Sequence, residues 1–104
     1  MQLAQLRREV EAVFAKLEER RYLVLVTPHG EGHTLDQAVI SDAKVSEAYQ
    51  SLALAVDEEI IAADVPVHDA EAHEQLELSS SVEILYMAFI RAVHDLFEGR
   101  KLAA

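Results

Sequence analysis

Between Ser79 and Gly99 the chain reads SSSVEILYMAFIRAVHDLFEG, and no other segment is as apolar. On a helical wheel Leu85, Ala88, Phe89, Ala92, Val93 and Leu96 share one sector, with Tyr86, Ile90 and Phe97 beside it. Apolar groups then cover roughly 200° of the wheel, against about 100° for an ordinary surface helix. A helix of this kind needs more than one neighbour, so every other element has to be arranged around it. Ser80 and Glu83 supply a capping box that predicts its start. Gly99, followed by Arg100 and Lys101 near the negative pole of the dipole, predicts its end. The polar strip that remains, Glu83, Arg91, His94, Asp95 and Glu98, is narrow for the exposed helix of a monomer, and a homodimer is expected.

The earlier part of the chain offers the partners. Residues 2–21 place Leu3, Leu6, Val10, Val13 and Leu17 at intervals of three and four, the seam of a short coiled coil, and Phe14 widens the stripe toward packing within the domain. The period then changes. Tyr22–Thr27 is rich in β-branched and aromatic residues and is broken by Pro28, Gly30 and Gly32; Gln37–Ser41 predicts a returning antiparallel strand, with a helical turn capped by Thr34 as the alternative. A two-stranded hairpin is marginal alone, so it has to pack on the helices or extend a sheet across a dimer. From Asp42 to Asp64, Val45, Tyr49, Leu52, Val56, Ile60 and Ala63 form one helical stripe. Leu54 and Ile61, a heptad apart on the opposite side, are either two apolar groups left in solvent or a second contact with another element or subunit. After Pro66, Asp69 can cap a short helix reaching Leu78, or residues 75–79 can form a short strand. The expected fold is a single helix-rich α+β domain over residues 1–104, in the order α-β-β-α-(short helix or strand)-α, with the hairpin packed on three helices; an all-α bundle is the alternative.

Charge and composition narrow the function classes. The net charge is −10, and residues 22–78 hold Lys44 against twelve acidic groups. Such a surface repels phosphate backbones and attracts cations and basic proteins, so no nucleic-acid partner is expected. With no cysteine, neither disulfides nor thiolate metal sites can form. Arg7, Arg8 and Glu9 interrupt what would be the core of a signal peptide, and no apolar run approaches the ~20 residues of a membrane span, so a cytoplasmic protein without membrane contact is expected.

Chemistry is sparse. His29 and His33 bracket PHGEGH, where a loop could bring both rings and Glu31 to one divalent ion. His73, Glu74 and Glu77 give H-E-x-x-E, which lacks the second histidine of a zinc-protease helix, and His68 lies too far around a helix from His73 to share its face. Glu71, Glu74 and Glu77, three apart, could hold Mg²⁺ or Mn²⁺ if Asp95 and Glu98 faced them. That pairing resembles the acidic motifs on neighbouring helices of all-α nucleotide pyrophosphohydrolases, but here the second pair runs Asp-x-x-Glu and no basic residue lies near to hold a phosphate tail, so the chain is not assigned to them. No phosphate-binding glycine loop or nucleophile elbow occurs.

The reading that follows is a non-catalytic, acidic interaction or regulatory protein without a cofactor. It is a homodimer whose contacts draw on Leu54, Ile61, Tyr86, Ile90 and Phe97, and it binds another protein, in the manner of an inhibitor or immunity protein that covers a basic site. The alternatives are a small metal-dependent hydrolase built on Glu71, Glu74 and Glu77, or a divalent-metal binder using the loop histidines His29 and His33.

Overall fold

A computed structural model describes residues 1–25 and 38–103, with side chains for 1–24 and 39–99. The elements are helix α1 (Leu3–Glu19), strands β1 (Leu23–Leu25) and β2 (Ala38–Ile40), and helices α2 (Ala43–Ala63), α3 (Ala70–Glu74) and α4 (Ser80–Ala103). The order is that of the expected α+β fold, with the hairpin rather than the helical turn after β1.

Helix α1 buries Leu3, Leu6, Val10, Phe14 and Leu17. The fourth position of the stripe is Phe14 and not Val13, which is only partly covered. Both residues flank the line through the other four about equally, and the larger Phe14 ring takes the core side, which turns α1 toward α2 and α4. The Phe14 ring meets Tyr49 of α2 edge-on at 5.0 Å between centroids and Phe89 of α4 at 6.4 Å, and Tyr49 and Phe89 lie 5.8 Å apart. This aromatic triad joins the three long helices at the centre of one core.

Backbone geometry ends α1 and starts the hairpin. The Tyr22 N–H donates to the Leu17 carbonyl at 2.8 Å and the Arg21 N–H to that of Glu18 at 2.9 Å, with Arg21 at φ 64°. These are the two bonds of a Schellman cap, with an arginine where glycine is the usual residue. The strands pair antiparallel, Leu23 with Ile40, Val24 with Val39 and Leu25 with Ala38. Leu23 and Ile40 enter the core, while Val24 and Val39 stand opposite each other on the exposed face, as the alternation of a one-sided sheet requires. The segment expected to form a loop, with Pro28, His29, Gly30 and His33, lies outside the described residues.

Asp42 caps α2 by accepting from the Lys44 and Val45 N–H groups, both at 3.0 Å. Val45, Tyr49, Leu52 and Val56 are buried and Ile60 is partly covered, but Ala63, the last residue of the expected stripe, is exposed beside Asp64, which closes the helix in the left-handed region at φ 53°. Between α2 and α4 the two alternatives are each realised in part. Asp69 caps α3, which stops at Glu74 instead of reaching Leu78. Only Glu77 then pairs in strand fashion, as an isolated antiparallel bridge to Gln2. The Leu3 N–H to Leu76 carbonyl bond (2.9 Å) and the Leu78 N–H to Met1 carbonyl bond (2.8 Å) tie this segment to the start of α1.

Helix α4 departs from expectation at both ends. Gly99 does not terminate it: the helix continues to Ala103, and a methyl group on Gly99 would meet nothing. Arg100, Lys101, Leu102 and Ala103 are strong helix formers, and together they outweigh the cost of one glycine, about 1 kcal/mol. The capping box does not form either. Ser80 is the first helical residue, Glu83 turns to the α-amino group of Met1 at 2.8 Å, and Ser79 donates from its backbone N–H (2.8 Å) and its hydroxyl to Glu59 of α2. A carboxylate from the neighbouring helix thus occupies the position where a local cap was expected.

Candidate functional site: the outer faces of α2 and α4

The acidic residues proposed as metal ligands are each directed to a different partner. Glu71 accepts from Gln75 at 3.4 Å, Glu74 pairs with Arg7 of α1, and Glu77 pairs with the Met1 amino group at 3.0 Å. The amino group is held above its usual pKa by its bonds to Glu83 and Glu77. Asp95 lies twelve residues from Glu83 along α4, about 18 Å at the helical rise, which separates it from the end of the molecule where Glu77 and Glu83 converge. Among the described residues no three histidine, aspartate or glutamate side chains gather as a metal site would require. His73 sits 3.2 Å from the Pro66 carbonyl, His68 is exposed, and His94 is exposed beside Asp95. His29 and His33 lie outside the described residues.

The residues proposed for contacts divide into two groups. Phe97 is engaged within the chain, where the Arg20 guanidinium lies 4.1 Å from its ring centroid and Tyr22 packs alongside at 6.1 Å. Tyr86 is half-buried against α1, with its hydroxyl donating to Glu9. Burial first, and the nearby Glu9 charge second, raise the Tyr86 pKa above its ordinary value. The second oxygen of Glu9 is buried without a hydrogen-bond partner.

Leu54 and Ile61, by contrast, remain in solvent, 62% and 77% exposed on the back of α2. Ile90 is partly covered and borders a shallow apolar groove along the back of α4. The groove is lined by Ile84 and Met87, 68% and 61% exposed, with Ser80, Ala88, Arg91 and His94 around them. Sequence reasoning missed Ile84 and Met87. The signal was available: Ile84, Met87 and Arg91 are spaced three and four apart and so fall within the strip that looked polar. The wide arc expected to be buried is correspondingly narrower, since Ala88 is exposed.

Compared with family models, with curated proteins and with solved structures, the chain matches none. No described helix is long and apolar enough to cross a membrane.

Proposed function

We propose that this chain is a non-catalytic, acidic interaction protein that associates with a second copy of itself and binds a basic protein partner. One observation carries the reading: two of the three long helices that build the core each show a pair of large apolar side chains on the side turned away from it, Leu54 with Ile61 on α2 and Ile84 with Met87 on α4. Single exposed apolar residues are common on protein surfaces, but pairs at helical spacing form a stripe that a partner can cover.

The surroundings of the two pairs differ in charge. Glu47, Asp57 and Glu58 share the outer side of α2 with Leu54 and Ile61, so two such faces would repel each other while a basic surface would be attracted. The α2 face therefore suits the basic partner. Capture from a host extract tests this: wild-type protein is expected to retain a basic protein that is released by salt and is not held by the Leu54→Glu/Ile61→Glu variant. Equal retention by that variant would contradict the assignment. Self-association is tested separately by mass in solution.

A further inference from the structure

The outer side of α4 carries Ser80, Ile84, Met87, Arg91 and His94 at intervals of four, three, four and three, the spacing of a two-helix seam. Glu83 is the acidic group N-terminal to Met87, Arg91 is the cation one turn beyond it, and His94, Asp95 and Glu98 follow toward the C-terminal end, with His94 3.8 Å from Asp95. Among the described residues Arg91 has no ion-pair partner, and Glu83 is about half exposed even with the Met1 amino group beside it. A second copy running antiparallel, with a two-fold axis beside Met87, sets each Glu83 opposite the partner's Arg91. It also sets Ile84 opposite the partner's Ile90, and Ser80 opposite the partner's His94. A parallel copy would place Glu83 against the partner's Glu83 and Arg91 against the partner's Arg91. The seam is therefore complementary to itself in one direction only, as an isologous contact demands.

We propose that α4 is the self-association surface, paired antiparallel with α4 of a second copy about a two-fold axis at Met87. The proposal rests on the self-associating reading above and adds the face, the direction and the register. Because the chain has no cysteine, introduced thiols report on it directly. Met87→Cys places two sulfurs across the axis, within the narrow range of separations a disulfide allows. Ile84→Cys, three residues from the axis, leaves its two copies offset by about 9 Å along the helices, too far to join.

The expected result is a wild-type dimer in which mild oxidation crosslinks Met87→Cys nearly completely, while Ile84→Cys and Ile61→Cys remain uncrosslinked. Arg91→Glu, which sets like charges together twice per dimer, is expected to weaken self-association by roughly tenfold or more. A wild-type dimer in which Met87→Cys stays uncrosslinked, or in which Ile61→Cys joins instead, would overturn the α4 seam and leave self-association standing. A wild-type protein that is monomeric throughout would overturn both.

Discussion

Glu9 is a charged residue on a helix that otherwise faces the core with aliphatic and aromatic groups, and its carboxylate is only partly satisfied. Glu9→Gln removes the charge beside Tyr86 and retains a hydrogen-bond acceptor, so the Tyr86 pKa should fall while staying above the ordinary value, because burial raises it as well. An ultraviolet titration of the variant against wild type, with Tyr86→Phe identifying the signal, checks this; an unchanged titration would remove Glu9 as a cause. The pH dependence follows in sign. With its folded pKa raised above 10.0, Tyr86 contributes stability that is present below the unfolded value and lost as pH rises from there through the folded pKa. Arg21 offers a second measurement. Its left-handed backbone at φ 64° strains any residue with a Cβ, so Arg21→Gly should stabilise the fold by about 0.5–1 kcal/mol in denaturant unfolding, whereas a β-branched residue there should destabilise it.

Among the elements, α4 best separates what local sequence decides from what it does not. A glycine ending a helix in the left-handed region resists replacement by alanine, whereas a glycine inside a helix benefits from it. Gly99→Ala should therefore raise stability by up to about 1 kcal/mol; a loss of that size would mean that the helix ends there. Glu59→Ala should cost about 1 kcal/mol by removing the cap that α2 supplies to Ser79, with chemical denaturation as the check. The three long helices were legible because their apolar positions repeat at helical spacing, and the hairpin was legible from the change of period at Tyr22 and the break at Pro28. The Glu59 cap was not legible, since it joins residues twenty positions apart. Nor was the length of α3, which is decided by the competing bridge between Glu77 and Gln2. The exposure of Leu54 and Ile61 was legible because they oppose a clear stripe. Ile84 and Met87 were obscured by the charged residues around them, and the neighbours of Phe97 were not legible because Arg20 and Tyr22 belong to distant parts of the chain.

At the scale of the molecule, the Cα trace measures 49 × 29 × 18 Å, and its least dimension is about that of two helices. A body this thin cannot bury both sides of α2 and α4, which accounts for a complete inner core joined by Phe14, Tyr49 and Phe89 together with apolar pairs on the outer sides. Covering the α4 pair with a second copy returns that apolar surface to a core, and the acidic α2 face then remains for a partner of opposite charge. Sedimentation equilibrium of the unmodified chain tests this most directly. The account predicts a species of twice the 11.6 kDa chain mass that dissociates when Ile84 and Met87 are both replaced by glutamate while the helical circular dichroism is retained. A single-chain mass at every concentration would contradict it.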